Sequence, residues 1–327
     1  VMTLFVVTAV QCLWVGGTFG GGLPDGRSFS YVGLVIVMGL VTACLFVLLP
    51  YFGYVFNFLS PPNVIAHLRD GALRAIERTT STDAQRRRAE VMEAIDELED
   101  VARGAMSHGD RGIGMTAVGA LGGLILAYGE RRDALPDAWF EIDDVVETDP
   151  DFVSLADSSV AEIRAHRSWL EYKVLRQLHG LYQSGLGASR DLCDRIAVEA
   201  YRIGAQALRT ADSGSALNAI RAFNSFLRAA INARDLRSAY FALDQYRGFA
   251  EVGLREGVYD RVLEVADHLI EYSRFGQEKG QPFLVEVVAY DLVQLVEVAV
   301  EHAPSQVGSL LARLLSVDEV AGEAVPS

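Results

Sequence analysis

Charge is almost missing from the start of this 327-residue chain: of residues 1–68, only Asp25 and Arg27 carry a formal charge. Val1 to Pro24 is one uncharged run and Ser28 to Leu68 is a second. Each can hold the roughly 20 apolar residues that cross a bilayer core as a helix, a length that a globular core helix seldom reaches without an ion. The expectation is a membrane region over residues 1–59, with two transmembrane helices at about 2–18 and 31–56.

Cysteine is scarce as well. Cys12 and Cys44 lie in the apolar runs and Cys193 in a helical stretch, so there is neither a disulfide framework nor a short-spaced zinc cluster. A reducing compartment fits best. Lysine occurs only at Lys173 and Lys279; arginine supplies every other basic charge, which reads as a composition bias of the source. The net charge of −14 resides in the body, because Asp25 and Arg27 cancel. That sign excludes a nucleic-acid backbone as the main partner. The first residues have neither a basic n-region nor a readable cleavage site. The expectation is that the chain begins late and that further membrane helices precede Val1.

Within the apolar head, Gly16, Gly17, Gly20, Gly21 and Gly22 dissolve the first helix, and Pro24 with Gly26 completes the turn. Small residues in the first span allow close helix contact, hence oligomerisation or docking to another membrane subunit. Pro50 bends the second span, and Tyr51, Tyr54 and Phe58 form an interfacial aromatic belt. Arg69, Arg74, Arg78 and Arg86 to Arg88 follow that span, whereas the connection between the spans offers Arg27 alone. By the positive-inside rule the body is cytoplasmic and the protein is integral to the cytoplasmic membrane. Residues 60–80 read either as an interfacial, connecting helix or as the first helix of the soluble domain.

Residues 81–327 show no period-two strand run and an almost unbroken helical pattern. Helices are expected at about 83–106, 112–130, 158–184, 189–209, 213–232, 235–255, 258–276, 282–302 and 305–315. The fold class is all-α: two or more transmembrane helices followed by an α-helical hairpin bundle or α-solenoid-like soluble domain. Gly112 to Gly129 is uncharged yet tightly bracketed by charges, so it reads as a buried helix of the soluble domain rather than a third span. From about 189 to 302 the helices recur every 22 to 25 residues with short polar turns, a pattern of stacked antiparallel hairpins. Leu236, Ala239, Tyr240, Leu243, Tyr246, Ala250 and Leu254 make one apolar stripe; Val258, Val262, Val265, Ala266, Leu269 and Tyr272 make the next. The hairpins look similar to tetratricopeptide-type repeats but lack their 34-residue period.

No catalytic, cofactor-binding or metal-binding residue is assigned. The acidic segment Phe140 to Asp157 lacks the D-x-D-x-D-G pattern of a calcium loop and reads as a solvated loop with helix-capping acids. No two of His67, His108, His166, His179, His268 and His302 are spaced by three or four residues, so no helix turn presents a paired metal site. A nucleophile elbow and a phosphate loop are both absent, and Gly112-Ile113-Gly114 lacks the strand and glycine spacing of a dinucleotide turn. The stretch from Glu162 to His179 reads as a core-facing aromatic stripe, through Trp169, Tyr172 and Leu175, with a solvated charged reverse face that includes Glu171 and Lys173.

Two hydrophobic spans, a basic exit helix and the segment from Ile203 to Ala216 together resemble a large bacterial family of predicted membrane proteins of unknown function. That family has several N-terminal spans, a cytoplasmic domain and a motif of the form A-L-S-P-x-x-x-D-P-x-T-A. Ala207, Leu208 and Ala216 match the motif, whereas its prolines and its Asp-Pro pair do not occur here. The resemblance covers about a tenth of the chain, implies two further spans before Val1 and transfers no catalytic residue.

The function these features favour is a membrane-anchored helical scaffold or interaction subunit of a larger assembly. Its partners would be membrane lipid and a protein partner or second copies of itself, without nucleic acid and without a cofactor. The alternative is an oligomeric channel or transport subunit with the second span lining a pore. Neither span carries an ionisable residue to mark an ion route, and Thr8, Gln11, Thr42 and Asn57 are the notable polar groups. An enzyme using acids from distant helices is the third possibility, and no motif proposes one.

Overall fold

The computed structural model describes residues 60–322, together with residues 8, 10, 35–36, 38–46 and 48. The glycine connection at 16–22, Pro24, Pro50, the belt at 51–58, Gln11, Cys12 and Asn57 lie outside the described residues, as do the ends of both expected spans. The chain divides into two compact units, residues 1–64 and 65–327.

In the first unit every described residue before Ser60 is helical. Thr8 and Cys44 are buried and meet through Oγ1 and Sγ at 3.2 Å, which joins the two apolar runs. The Thr42 hydroxyl donates to the Met38 carbonyl at 2.7 Å and so hides its polarity within its own helix. Val35, Met38, Leu45 and Phe46 are exposed, Phe46 by 71 %. Of the described residues here, Thr8 and Cys44 point inward, while most of the large apolar side chains, with Thr42 and Ala43, point outward.

The second unit is all-helical among the described residues. It comprises α1 (Pro61–Glu77) from Ile65 onward, α2 (Ala84–His108), α3 (Arg111–Gly129), α4 (Asp144–Glu147), α5 (Pro150–Val153), α6 (Asp157–Ala165) and α7 (Trp169–Gly185). The series continues with α8 (Arg190–Arg209), α9 (Ser213–Asn232), α10 (Leu236–Glu256), α11 (Tyr259–Glu278), α12 (Phe283–His302) and α13 (Val307–Gly322). Ile65, Ala72, Ala75 and Ile76 of α1 are buried with the core that runs through the later helices. From α8 onward each helix packs on the next, and α8 also reaches α10 as α10 reaches α12, so the hairpins stack in a repeat-like bundle. The two predicted stripes are largely buried, but Leu236 and Tyr240 of the first are exposed.

Helix α3, among the described residues, is the one long and apolar enough to cross a bilayer. It instead packs against α2, α7 and α8, with Ala117, Val118, Leu121, Leu124 and Tyr128 buried. Removing each large apolar side chain from water contributes roughly 1.5–3 kcal/mol. Gly114, Gly119, Gly122 and Gly129 face α8. A Cβ on Gly122 would collide with the Glu199 carboxylate, which is fully buried between Arg195 at 2.5 Å and Arg202 at 2.9 Å.

Two expectations are corrected. The helix expected over 158–184 is two helices, because Arg167 sits in the left-handed region at φ 55° and turns the chain between α6 and α7. The acidic segment is not a loop but carries two short helices, which Asp143 and Asp149 cap as expected; Glu141, Asp144, Glu147 and Asp157 are exposed, whereas Asp143, Asp149 and Asp151 are tied to the bundle. Asp143 pairs with the buried Arg88 at 2.5 Å, while Asp149 and Asp151 hold Lys173 at 2.7 and 3.2 Å.

A recurring joint connects the helices. After α8 the Ala211 amide donates to the Leu208 carbonyl and the Asp212 amide to that of Ala207; after α9 Arg234 and Asp235 do the same to Ile231 and Ala230. These are Schellman turns, whose left-handed residue is usually glycine because it has no Cβ penalty. Here that residue is Ala211 or Arg234, at φ 55° and 54°. The aspartate that closes one helix immediately caps the next, accepting from the amide of Ser215 at 3.1 Å or of Ser238 at 3.3 Å. One residue thus ends a helix and starts its neighbour, which is why the connections are so short.

Candidate functional site

Helix α7 carries two buried charges on what reads in the sequence as its solvated face, Glu171 and Lys173. Lys173 is fully satisfied. Its ammonium meets Asp149 at 2.7 Å, Asp96 at 2.8 Å and Asp151 at 3.2 Å, and Gln177 bridges Asp96 and Asp151. Burial alone would lower its pKa, but the hydrogen bonds to Asp149 and Asp96 outweigh that and hold it above the ordinary value. Such a closed cluster is a clasp between α2, α5 and α7.

Glu171 is different. Its side chain is 3 % exposed, and its Oε1 lies 3.8 Å from the Arg132 Nε and accepts from the Ser215 hydroxyl at 2.9 Å, while Oε2 has no hydrogen-bond partner. Arg132 is held in place by the carbonyls of His166 and Arg167 at 2.8 and 2.9 Å, by Asp212 and by the ring of Phe140. Asp212 also lies 2.5 Å from the Ser215 hydroxyl. The Ser215 hydroxyl has a single hydrogen and lies within reach of both acids, so the two carboxylates share one donor. Burial pushes the Glu171 carboxyl above its ordinary value, against the pull of Arg132 and Ser215. Behind it, burial and then the Glu171 charge keep the Tyr128 phenol protonated.

A cavity of about 90 Å³ opens onto this group. Arg132, Asp133 and Glu171 line one side; Ile203, Gln206, Ala207, Thr210, Asp212 and Ser215 line the other. The second set falls within residues 203–216. Two of the three non-glycine residues with positive φ among those described, Arg167 and Ala211, adjoin the cavity through Arg132 and Asp212. Gly214 permits the approach of the two turns, since a Cβ there would press on His166 and come 3.2 Å from its carbonyl oxygen. Strain of this kind persists where the surroundings over-determine it, and it concentrates at functional sites.

The histidines do not gather, and among the described residues no His, Cys, Asp and Glu group could hold a metal ion. His179 is half-buried beside Phe226, and burial followed by Arg176 lowers it to about 4. Cys193 is a poor nucleophile, because burial and then Asp235 and Asp194 push its thiol up to about 12. Gly112-Ile113-Gly114 is ordinary α3 backbone. Sequence reasoning missed Glu171, Arg132 and Ser215. The available signal was the pair Asp212-x-x-Ser215 and Asp235-x-x-Ser238, repeated at the helix interval.

No protein-family model and no curated protein matches the chain. Among solved structures, one titled "DHF58 filament" is similar at 16 % identity and TM-score 0.27, over 80 % of this chain and 96 % of that one. A "Circular tandem repeat protein with novel repeat topology and enhanced subunit contact surfaces" is similar at 16 % identity and TM-score 0.30, over 99 % and 78 %. Scores this low carry no functional information.

Proposed function

We propose that the protein is a membrane-anchored helical scaffold: the apolar head holds a stacked-hairpin body at the cytoplasmic face of a membrane, where the body docks a protein partner or further copies of itself. One observation carries the anchoring, the inverted polarity of the first unit, in which Thr8 and Cys44 are buried while Val35, Met38, Leu45 and Phe46 are exposed. Large apolar side chains turned outward are stable in hydrocarbon and costly in water. The arginines that follow residue 68 support the orientation. Stacked hairpins supply the extended surface on which scaffolds bind.

Alkaline washing of membranes from expressing cells tests the anchor. The full chain should stay with the membrane, and protease should reach the body only in inverted vesicles. Recovery of the chain in the soluble fraction would refute the reading. Phe46→Arg, a charge placed among the exposed apolar side chains, should reduce membrane recovery at a cost of about 2.5–3.5 kcal/mol if that position lies deep in the bilayer.

A further inference from the structure

We propose that two copies of the chain pair through the outer faces of α12 and α13, which come together as a four-helix bundle. The inference specifies the copies named in the scaffold reading and rests on that reading's docking body, not on its membrane anchor. The hairpins stack in layers: α8 and α9 carry α10 and α11, which carry α12 and α13. Asp291 of α12 faces inward to Arg247 of α10 at 3.1 Å, and Arg313 of α13 reaches Asp267 of α11 at 2.7 Å. Val293 and Val300 lie about 180–200° round α12 from Asp291, and Leu311 and Leu315 about 200° round α13 from Arg313. They point away from the stack, to the side where a further hairpin would sit. The end unit of such an array ordinarily turns a polar face outward. Here Tyr290, Val300 and Leu315 are 59, 60 and 66 % exposed. Together with Val293 and Leu311 they expose an apolar area on the order of 500 Å², at the upper end of what a monomer leaves open. With the exposed Glu297, Gly308 and Ala312 among them, the face approaches the roughly 800 Å² per partner of a stable interface.

The occupant is a second copy because the two stripes complement each other. On α12 the exposed positions 286, 290, 293, 297 and 300 alternate steps of four and three residues, the seam spacing of paired helices. The exposed positions of α13 are 308, 311, 312 and 315. Glu286 and Glu297 make the α12 stripe acidic, whereas the described α13 stripe carries no charge and is flanked by Arg313. Two α12 stripes laid together would oppose their acids; α12 laid on α13 avoids this. A two-fold axis running along and between the two helices achieves it at both contacts, since it sets each α12 over the other copy's α13. The short connection makes α12 and α13 antiparallel, so every neighbouring pair in the dimer is antiparallel, the up-down arrangement of a four-helix bundle. Such an axis preserves height along the helices. Counted outward from the connection at 303–306, Val293 of one copy comes level with Leu315 of the other, and Val300 with Gly308, where even an added Cβ would meet nothing.

Sedimentation equilibrium of the full chain in mild detergent at physiological salt tests this. The parent should be a dimer at micromolar concentration. Val293→Glu and Leu315→Lys, both on outward-facing positions, should each raise the dissociation constant about a hundredfold or more, since one substitution enters the two-fold interface twice. Their helix content by circular dichroism should equal the parent's. Mixed in equal amounts, the two variants should regain a dimer: the introduced acid and base face each other at one contact, and the other contact keeps its apolar pair. A variant that had merely lost its fold would not be rescued in this way. A monomeric parent, a dimer that persists in both variants, or a mixture that stays monomeric would each overturn the proposal. A monomer that alkaline washing still leaves in the membrane would overturn it without touching the anchor.

Discussion

The joints after α8 and after α9 have the same backbone, yet only one of them is a candidate site. Ala211-Asp212 and Arg234-Asp235 form the same Schellman turn, and Asp212 and Asp235 cap the next helix on the amide of a serine three residues on. At the second joint Asp235 receives the Gly187 amide at 3.0 Å and Tyr182 donates to the Ser238 carbonyl at 3.0 Å, so the turn is sealed by neighbouring backbone and phenol. At the first, Asp212 meets Arg132, the serine hydroxyl reaches the buried Glu171, and a cavity remains. A local motif makes the turn; the elements packed against it decide whether the turn becomes structure or site.

Aspartate removal should separate the joints most. Asp212→Ala deletes a cap and strands the mostly buried Arg132, an expected loss of about 3 kcal/mol or more. Asp235→Ala loses a cap and one backbone hydrogen bond, about 1–2 kcal/mol. Urea unfolding measures both, and equal losses would show that Arg132 draws nothing special from Asp212.

The serines come next. Ser215→Ala removes a hydroxyl shared by two acids and should cost about 1–2 kcal/mol, whereas the buried Ser238 hydroxyl has no hydrogen-bond partner and Ser238→Ala should change stability by under about 0.5 kcal/mol. A costly Ser238→Ala would break the distinction.

Only the first joint should titrate through Glu171. Its folded carboxyl lies above the unfolded value, so the native state binds the extra proton. Its stabilising effect is complete below the unfolded value and is lost as pH rises through the folded one. Glu171→Gln should cost under about 1.5 kcal/mol at pH 5, and its melting temperature should hold better than the parent's toward pH 8. Parallel melting curves for the two proteins across that range would remove the proton from the site.

The smallest effects should be alike at both joints. Ala211→Gly and Arg234→Gly relieve left-handed strain of about 1–2 kcal/mol and return about 0.5–1 through the freer unfolded chain. A net gain of about 0.5–1 kcal/mol is expected for each, with the two values within a few tenths. A much larger gain at Ala211 would show that the cavity side is strained beyond its turn.

The helices of the body were legible because amphipathic spacing is local, and most boundaries from α8 to α12 fall within two residues of the expected ones. The break before α7 was not, since Arg167 at a left-handed position lacks the glycine that normally marks such a turn. Asp143, Asp149 and Asp151 looked solvated for a similar reason: a carboxylate reads as exposed until the arginine or lysine that meets it, from a distant helix, is known. The candidate site was hardest to see, because Glu171, Arg132 and Ser215 lie far apart in sequence and each is ordinary by itself.

The sequence alone therefore determined what depends on neighbouring residues: a nearly charge-free head, a charged helical body, and helices punctuated at a regular interval. Only the tertiary structure decided which charges are buried, which turn is sealed and which stays open. Hydrophobic periodicity is set within a few turns of one helix, whereas the solvation and protonation of Glu171 depend on groups that α3, α8 and α9 bring to it.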